Sequence, residues 1–533
     1  MKTFSLAGLL VAVGCVASCS KPFGDAPGLD SGVVPVGPEQ FRFVTTATRT
    51  QVVQGKATSV PIVITRGSGA ASDIQVTLTS PPAGITADPL TIPSGSSTGQ
   101  LSITVADTIN QGNLDGLAIQ GHAVGGNASD TENLPLFVRG KPGALDTTFA
   151  SDGVYQDAWG SYTSIQSVIP QQNGTILIGA QVLGLPNSTV LRLNADGSVD
   201  ATFANPNILS PIDNMAVSAN GNIVITSVVS QKSVITRLTG NGTLDTTFNG
   251  TGSLTLSSIP NGWPNFTAAA ITIASDESIY VGSSDLRLGV GATIPDPYGI
   301  IQIQPNGQFG TESFSSCVGF WSSQQELNSL TSLLIHPTTG ALVLTGNDGA
   351  GIGVIRYQPL SCARDPQYGG GTGIAYFKNW QDLDDSFLEA DGSIDLLARV
   401  DTGGIYSLVH INATGTQMNN VSTLAYSTGR GGGPTGGVTR APDGHILVAG
   451  EKLPAGNSSM AVAYYKSDLT LDTLIGNQGI VTIPITLANT FGVGLRAIYT
   501  PDGQKTIVVG VAHRTDGETF VTSENLVVAR IWN

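Results

Sequence analysis

A short stretch that recurs along the chain constrains the fold more than any other feature. It reads GTLDTTF at residues 242–248 and GALDTTF at residues 143–149, and a relative, GSVDATF, stands at residues 197–203. Near copies of this kind show that one supersecondary unit is repeated, and a single unit cannot bury its hydrophobic face alone. Neighbouring copies must therefore stack on one another to form a core.

Between these copies the chain repeats a β-hairpin whose turn is Asn-Gly, Asp-Gly or a close relative. Such turns suit hairpins because both central residues adopt positive φ. The turns follow one another at about 55 residues per repeat, which is the size of a propeller blade. The seven turns are Asn173-Gly174, Asn220-Gly221, Asp276-Glu277, Thr339-Gly340, Asp391-Gly392, Asp443-Gly444 and Asp502-Gly503.

A third strand follows each hairpin and another strand precedes it, so each repeat supplies four strands. Third strands include residues 190–193 and 234–238, and preceding strands include residues 252–256 and 479–483. Four strands in each of seven repeats predict an all-β fold with a seven-bladed β-propeller over residues 141–533.

The two ends of the repeat array complement each other. The last repeat stops at Asn533 without an LDTTF element, and the missing element stands instead at residues 145–149. We therefore expect the N-terminal element to complete the ring. A closed ring leaves no long free sheet edge, which protects the protein from edge-to-edge aggregation.

Two longer stretches extend the repeated pattern, PDGHILVAG at residues 442–450 and LRLNADGSVDATF at residues 191–203. With the LDTTF element they resemble the delta-60 repeat, a β-propeller repeat of bacterial secreted and surface proteins. The resemblance covers about residues 143–533, and residues 359–362 and 413–416 depart from it because they do not continue into LDTTF. It implies a propeller fold and carries no common catalytic motif, so no site residues follow from it.

Residues 1–19 have the form of an export signal. A basic start precedes an apolar run that is too short to be a stable membrane span, and VASC at residues 16–19 resembles a bacterial lipobox. We therefore predict diacylation of Cys19, which would hold the chain on a membrane surface. Ser20 is typical of outer-membrane sorting, and residues 20–39 predict a flexible tether. An ordinary signal peptide cut elsewhere is the alternative.

Residues 40–140 change to short β segments separated by turn clusters rich in Pro, Gly and Ser. Clear strands are predicted at residues 60–65, 74–79 and 101–105. About seven strands in roughly a hundred residues are typical of an immunoglobulin-like β-sandwich. The cysteine pair of antibody domains is missing from this stretch. We expect the sandwich to act as a spacer before the propeller.

Two cysteines remain beyond Cys15 and Cys19. They are Cys317 and Cys362, which flank the same repeat. Export to an oxidising compartment permits their pairing, so we predict a disulfide between them. Free thiols are the alternative.

Histidine spacing is the usual sign of a metal site in a sequence. The histidines of this chain show no ligand spacing such as His-x-x-x-His, so we predict structural or solvated histidines, with no metal and no other cofactor. Ligands gathered from separate blades onto the central channel stay open, because sequence spacing does not test them. The histidines are His122, His336, His410, His445 and His513.

Most of the tryptophans share one place in the repeat, directly after the strand that is expected to open it. In a radial array, corresponding loops lie on one face of the ring, and Trp offers a large apolar surface with one polar group. We therefore predict an aromatic surface that binds a glycan or a protein partner. The alternative is that these indoles fill the gaps between blades. The residues are Trp159, Trp263, Trp321 and Trp380.

Charge and motif content narrow the function classes. The net charge of −15 repels phosphate backbones and argues against a nucleic-acid partner. No nucleophile, metal-ligand set or phosphate-binding loop stands out, so no enzymatic activity is evident. The leading interpretation is a monomeric lipoprotein of the Gram-negative cell envelope, anchored in the outer membrane, whose propeller binds a glycan or an envelope protein.

Two alternatives stay open. One is an exported hydrolase or lyase that acts on a polysaccharide at the propeller channel, which requires several His, Asp or Glu side chains at one end of that channel. The other is a scaffold of a cell-envelope assembly, which predicts a large contiguous apolar patch on an outer blade surface.

Overall fold

The computed structural model describes most of the chain after residue 36. The predicted signal segment with Cys19, and nearly all of the predicted tether, lie outside the described residues. The described residues are 37, 40–44, 49–157, 162–182, 188–204, 207–208, 210–256, 266–283, 298–310, 317–319, 329–347, 351–359, 361–400, 406–421, 437–452, 459–485, 490–515 and 521–533.

The N-terminal region folds into short strands. They are β1 (Phe41–Phe43), β2 (Thr50–Val53), β3 (Ala57–Arg66), β4 (Ile74–Thr79), β5 (Ile85–Ala87), β6 (Leu90–Ile92), β7 (Thr98–Val105), β8 (Gly112–Leu114), β9 (Ala118–Ala123), β10 (Ser129–Asn133) and β11 (Leu136–Arg139). Two sheets have the orders β1-β3-β7-β5 and β10-β9-β4-β6, and a third has the order β2-β11-β8. In the third sheet β11 runs parallel to β2.

The core of this region follows from the two-residue period along each strand. In β3, Val60, Ile62 and Ile64 are buried, while Pro61 between them is exposed. The sequence predicts about seven strands here, and the structure has more. Strands of three residues, such as β5, β6 and β8, are too short to show an alternating pattern in a sequence.

The remaining described strands form four-stranded antiparallel sheets, which we number 1 to 7. Sheet 1 contains β13 (Tyr162–Pro170), β14 (Ile176–Val182), β15 (Ser188–Leu193) and β16 (Asn207–Ile208). Sheet 2 contains β17 (Ile212–Val217), β18 (Ile223–Val229), β19 (Lys232–Leu238) and β20 (Ser253–Thr255). Sheet 3 contains β21 (Ala270–Ile273), β22 (Ile279–Ser283), β23 (Tyr298–Ile303) and β24 (Cys317–Gly319).

The same pattern continues to the end of the chain. Sheet 4 contains β25 (Ser329–Ile335), β26 (Leu342–Asn347), β27 (Gly351–Arg356) and β28 (Ile374–Lys378). Sheet 5 contains β29 (Trp380–Leu388), β30 (Ile394–Val400), β31 (Tyr406–Ile411) and β32 (Met418–Val421). Sheet 6 contains β33 (Val438–Arg440), β34 (Ile446–Lys452), β35 (Ser459–Tyr465) and β36 (Ile480–Thr482). Sheet 7 contains β37 (Thr490–Tyr499), β38 (Lys505–Thr515), β39 (Val521–Trp532) and β12 (Val154–Gln156).

These sheets form a closed ring. Their first strands contact one another in chain order, and the first strand of sheet 7 contacts that of sheet 1. The N-terminal strand β12 completes sheet 7 by pairing with β39, with Val154 opposite Ala529. Leu145 also bridges to Ile531. Four-stranded sheets arranged radially in this way are the architecture of a β-propeller.

The structure corrects the boundary of the repeat. The sequence interpretation placed the strand at residues 252–256 at the opening of its repeat, but β20 pairs with β19 as the outermost strand of sheet 2. β36 pairs in the same way with β35. The reason lies at the end of the LDTTF element, where the Gly252 N–H donates to the Phe248 carbonyl at 2.7 Å. This tight turn returns the chain alongside the third strand.

Hydrophobic side chains fill the spaces between neighbouring sheets. The second strand of a sheet is covered on both faces, and residues 223–227 of β18 are all buried. Such strands appear in the sequence as continuous apolar runs rather than as alternating ones. Between sheets 1 and 2 the core combines Leu177 and Val190 with Ile212 and Ile225.

The N-terminal region contacts sheet 7 directly. The Trp532 indole N–H donates to the Gln111 side-chain oxygen at 2.8 Å. Arg139 Nη2 donates to the Asn533 main-chain oxygen at 2.9 Å, and the Phe137 ring packs edge-on against the indole, with centroids 6.1 Å apart. The N-terminal region therefore joins sheet 7 through specific side-chain contacts.

Helix is nearly absent from the part of the chain that the structure describes. The described residues contain one short 3₁₀ helix, Gly369–Gly371. No helix among them combines the length and the apolar composition that crossing a membrane requires.

Candidate functional site

The repeated motif builds a contact between neighbouring sheets, which we name the arginine clip. In sheet 2, Arg237 Nε donates to Asp245 Oδ2 at 2.7 Å. The guanidinium carbon lies 4.8 Å from the centre of the Phe248 ring. Arg237 Nη1 also donates to the main-chain carbonyl of Pro305, which follows the third strand of sheet 3. One side chain thus ties together its own strand, the LDTTF element and the next sheet.

Four sheets contain this clip. In each, the guanidinium carbon lies between 4.4 and 4.8 Å from the centre of an aromatic ring. The arginine, aspartate, aromatic residue and carbonyl acceptor are Arg192, Asp200, Phe203 and Gly240 for sheet 1; Arg237, Asp245, Phe248 and Pro305 for sheet 2; Arg356, Asp365, Tyr368 and Ala413 for sheet 4; and Arg530, Asp146, Phe149 and Ala195 for sheet 7. The clip of sheet 7 lies where the ring closes, because Arg530 comes from one end of the repeat array and Asp146 and Phe149 from the other.

Electrostatics explain why the clip uses aspartate followed by threonine. Burial acts to raise the pKa of Asp245, but hydrogen bonds from Thr247 and the charge of Arg237 hold that pKa below its ordinary value. Thr247 Oγ1 donates to Asp245 Oδ1 at 2.6 Å, and the Thr247 N–H donates to the same oxygen at 3.0 Å. A carboxylate with several donors stays charged in a buried place. The side chains of the LDTTF element are therefore occupied in holding sheets together.

Sheets 3, 5 and 6 lack the clip arginine. In sheets 1, 2 and 4 the clip arginine lies opposite the second residue of the second strand. At this position sheets 3, 5 and 6 carry Gln302, His410 and Tyr464. Places where a repeat breaks its own rule are where functional sites are expected.

His410 belongs to a charge network between sheets 5 and 6. Its Nδ1 lies 2.8 Å from Asp395 Oδ1 and 3.6 Å from Glu389 Oε1. Arg440 of sheet 6 places its Nη2 2.9 Å from Asp395 Oδ2 and 3.0 Å from Glu389 Oε1. Asp395 is fully buried, so its charge is screened less than that of an exposed carboxylate.

This network has the spacing of a metal site but already contains a cation. Glu389, Asp395 and His410 each place a ligand atom within 4.8 Å of the others. The hydrogen bond with Asp395 raises the pKa of His410, and burial, followed by the charge of Asp395, raises the pKa of Glu389. Because the Arg440 guanidinium contacts both carboxylates, a metal ion would have to displace it. The residues present therefore do not fit a resident metal.

A second set of charged side chains lies on the first strands, which face the inside of the ring because they contact one another around it. Several of these strands carry β-bulges. The pairing register skips one residue at Asp213 in β17, at Asp384 in β29 and at Leu495 in β37. Bulges re-aim side chains and are common beside binding sites. We name four charged residues of these strands, Asp213, Asp382, Asp385 and Arg496, the axial set.

Within the axial set, Asp385 connects three sheets. Its Oδ2 accepts the Val438 N–H of sheet 6 at 3.0 Å and pairs with Arg496 Nη1 of sheet 7. Asp382 pairs with Arg399 across the first two strands of sheet 5. Charged pairs therefore stand at the inner edge of the ring, where the sheets converge.

Asp213 in sheet 2 differs from these paired carboxylates. Its Oδ2 is buried and has no hydrogen-bond partner among the described residues. Burial raises the pKa of Asp213 to about 6. The neighbouring Asn214 donates to the Ala269 carbonyl at 3.0 Å, which fixes the strand beside the sheet 3 backbone. Asp213 is thus an axial carboxyl group with unused hydrogen-bonding capacity.

Trp380 is the predicted aromatic site residue whose side chain the structure describes. It is 5% exposed and packs with Val343 and Leu396 in the core between sheets 4 and 5. A single residue, Asn379 with a φ of 70°, separates β28 from β29. This short connection draws Trp380 into the sheet, so it does not belong to an exposed aromatic surface as the sequence suggested. Trp159, Trp263 and Trp321 lie outside the described residues.

Cys362 forms a disulfide in the structure. It lies on an exposed turn after β27. Its predicted partner, Cys317, belongs to β24, and that side chain lies outside the described part of the chain. The pairing of Cys317 with Cys362 stays a prediction.

Sequence reasoning missed the network around His410, which it treated as an ordinary structural histidine. Arg440 lies 45 residues from Asp395 in the chain, so no local spacing pattern predicts the network. The available signal was the break in the repeat, since histidine replaces the clip arginine. Of the other histidines, His122 is exposed, His336 is buried, His445 lies 2.9 Å from Asp472, and the His513 side chain lies outside the described residues.

Comparison with known proteins agrees with this architecture. The sequence profile of a β-propeller domain of unknown function, DUF5122, matches residues 171–203, 219–248 and 441–474. The matched stretches contain hairpins and LDTTF-type elements of sheets 1, 2 and 6. Together with the radial sheets, the match shows that the chain is a β-propeller protein.

Several solved structures resemble the chain distantly. Kuenenia stuttgartiensis hydrazine synthase is 12% identical with a TM-score of 0.44, over 68% of this chain and 100% of that one. The polysaccharide lyase Uly1 is 9% identical with a TM-score of 0.38, over 69% and 89%. Pseudomonas aeruginosa periplasmic gluconolactonase, PpgL, is 13% identical with a TM-score of 0.38, over 71% and 99%. No curated protein matches the sequence.

Proposed function

We propose that the chain is a lipid-anchored protein of the bacterial cell envelope whose propeller is a binding platform for a glycan or a protein partner. In this proposal the ring has seven blades of delta-60-type repeats, one for each sheet. The region before it is an immunoglobulin-like sandwich, and the protein is a monomer. A glycan is the favoured ligand because of the axial set.

The axial set is the observation that carries the proposal. Asp213 offers a buried carboxyl oxygen without a partner, and the Asp385–Arg496 pair offers an acceptor beside a donor. A small number of well-placed polar groups in a concave site is the usual means of orienting a ligand. Sugar hydroxyls, which both donate and accept hydrogen bonds, suit carboxylate and guanidinium groups arranged in this way.

The connections between sheets also support the proposal, because three of them carry the remaining predicted tryptophans. The segments with Trp159, Trp263 and Trp321 each connect the outermost strand of one sheet to the first strand of the next. They therefore join the first strands at their beginnings, and Asp213 and Asp382 stand near the beginnings of β17 and β29. An indole beside an axial carboxylate would offer an apolar face to a sugar ring.

The proposed location rests on the N-terminal sequence. We propose that Cys19 is diacylated and that Ser20 directs the protein to the outer membrane of a Gram-negative cell. Metabolic labelling with a palmitate analogue should mark the wild-type protein and not Cys19→Ser. Equal labelling of both proteins would exclude Cys19 as the acceptor.

A glycan array probed with the soluble chain from residue 20 onward tests the axial site. Asp213→Asn removes a charged acceptor, so we expect binding to weaken about tenfold. Asp88→Asn, an exposed change in the sandwich, should leave binding unaltered. Binding that both variants retain would contradict the axial site. Silence across the array would favour a protein partner instead.

A second candidate function is polysaccharide cleavage at the same site. Asp213 favours it, because a carboxyl group with a pKa of about 6 suits acid or base catalysis near neutral pH. New reducing or unsaturated chain ends should then appear with the wild-type protein and not with Asp213→Asn. Binding without new chain ends would leave the platform as the function.

An envelope scaffold, the third candidate, receives little support from the described surface. A scaffold predicts a large contiguous apolar patch, whereas large exposed hydrophobic residues are few among the described residues. They are Val44, Val124, Val199, Val229, Leu244 and Leu474.

A further inference from the structure

Sheet 7, in which the ring closes, is built differently from the other sheets. Each of sheets 1 to 6 consists of consecutive strands, whereas sheet 7 joins β37, β38 and β39 to the distant strand β12. Its clip partners Asp146 and Arg530 are 384 residues apart. We name the pairing of residues 143–157 with residues 526–532 the seam. Closing the seam orders a loop that contains all of sheets 1 to 6, so its two sides are held together by non-covalent contacts alone.

One side chain of the N-terminal region contacts both sides of the seam. Gln111 directly precedes β8, and its Nε2 donates to the Leu145 carbonyl at 3.0 Å. Its Oε1 accepts the Thr147 N–H at 2.9 Å and the Trp532 indole N–H at 2.8 Å. Leu145 and Thr147 stand on one side of the seam, and Trp532 ends β39 on the other side. The Gln111 amide therefore bridges the two ends of the repeat array.

Trp532 connects the seam to the N-terminal region. Its main-chain N–H donates to the Ala144 carbonyl at 2.9 Å, and its carbonyl accepts the Gly143 N–H at 2.8 Å. Its indole is 1% exposed, packs against the Phe137 ring and has Lys505 Nζ 4.3 Å from its centre. A buried indole N–H that loses its acceptor has no water to donate to, so the loss of the Gln111 contact is destabilising.

The contact between Gln111 and Trp532 leaves no room for a further side chain. Gly140, which directly follows β11, stands beside it. A Cβ added to Gly140 would lie 2.6 Å from Trp532 Cδ1 and 2.7 Å from Gln111 Nε2, so a larger residue does not fit without displacing one of them. Glycine is the residue that permits such a close approach of the backbone. The N-terminal region and the seam are therefore fitted to each other at this point.

We propose that the N-terminal region acts as a clamp that keeps the propeller closed, because Gln111 binds both sides of the seam at once. The clamp opposes the separation of β12 from β39, the strand pair that joins the two ends of the ring. The arginine clip of sheet 7 holds the same seam from within the ring. This role adds to the spacing that the sequence predicts for the N-terminal region. It uses neither the axial set nor a ligand, so it can fail independently of the proposed function.

Hydrogen–deuterium exchange of the chain from residue 20 onward, read by mass spectrometry of its peptides, tests the proposal. Gln111→Ala removes the three hydrogen bonds to the seam. We therefore expect amide exchange in residues 143–157 and 526–532 to become at least about tenfold faster. Peptides of sheets 2 to 4 should keep their wild-type rates, because they lie away from the seam. Gln75→Ala, an exposed change in β4, is the matched control and should alter neither group of peptides.

A second variant disturbs the same contact without removing the Gln111 side chain. The methyl group of Gly140→Ala must push the Trp532 indole or the Gln111 amide aside, so we expect the same local acceleration of exchange at the seam. If circular dichroism shows that Gly140→Ala does not fold, the Gln111→Ala measurement decides alone. Wild-type exchange at the seam of Gln111→Ala, or an acceleration spread evenly over all sheets, would overturn the proposal.

Discussion

Sheets 1, 2, 4 and 7 each contact the next sheet through an arginine clip, whereas sheets 3, 5 and 6 lack the clip arginine. In the first group an arginine joins an aspartate, an aromatic ring and the next sheet. In the second group the same position holds Gln302, His410 or Tyr464. The ring therefore does not need a clip in every repeat, and the residue at the clip position can vary in the repeats without one. The His410 network occurs where the clip arginine is lost.

The largest effect is expected where a clip closes the ring. Asp146→Ala leaves Arg530 and Lys505 without the buried carboxylate that both contact. Removing one partner of a buried pair costs about 3–5 kcal/mol, and urea unfolding should show a loss of that size. Asp107→Ala breaks an exposed pair with Lys141 and should cost less than about 1 kcal/mol. Equal losses in the two variants would mean that the clip is no stronger than a surface ion pair.

The disulfide tests whether a covalent bond replaces a missing clip. Cys317 belongs to sheet 3 and Cys362 follows the third strand of sheet 4, so their predicted bond would join the two sheets. Cys362→Ser should lower the free energy of unfolding by about 2–4 kcal/mol. Non-reducing peptide mapping of the wild-type protein should recover Cys317 with Cys362. Recovery of a different cysteine pair would contradict the predicted bond between sheets 3 and 4.

Sheet 1 tests whether the clip needs the forked guanidinium or only a positive charge. Arg192→Lys keeps the charge but loses the planar fork that reaches Asp200 and the Gly240 carbonyl together. We expect a loss of about 1 kcal/mol in the free energy of unfolding. Arg42→Lys, an exposed change in β1, is the control. A loss no larger than in the control would show that charge alone suffices.

The smallest effect separates His410 from the clip arginines, because histidine titrates near neutral pH and arginine does not. The hydrogen bond with Asp395 raises the pKa of His410, so its stabilising effect is complete below the unfolded-state pKa and is lost as pH rises through the folded-state value. The raised pKa of Glu389 acts in the same direction. The wild-type protein should therefore exceed His410→Gln in stability by more at about pH 5.5 than at about pH 8.5. Denaturant titrations at the two pH values measure this, and a gap that widens at high pH would contradict it.

The propeller was predictable because its signals are local. Asn-Gly and Asp-Gly turns, β-rich flanks and LDTTF copies each act over a few residues and recur, so the class of fold follows from the amino-acid sequence alone. The assignment of strands to sheets was not predictable in the same way. The strand that includes Leu254 pairs with the sheet before it, since a tight turn at Gly252 reverses the chain, and a linear repeat unit does not show that reversal.

The candidate sites were predictable only in part. Trp380 was expected on a surface, and the one-residue connection at Asn379 buried it. The sequence contains the acidic residues of the axial set, but no sequence pattern predicts that they lie together around the axis of the ring. Asp385 and Arg496 come from sheets 5 and 7, and only ring closure brings them together.

The sequence by itself determined the repeated unit, the all-β character and the N-terminal completion of the last sheet, because turn chemistry and strand alternation are encoded within each copy. Only the tertiary structure decided which polar groups have partners. The clip arginines, the His410 network and the Asp213 carboxyl group depend on contacts between neighbouring sheets. Such contacts form between residues tens to hundreds of positions apart, so they exist only once the ring has closed.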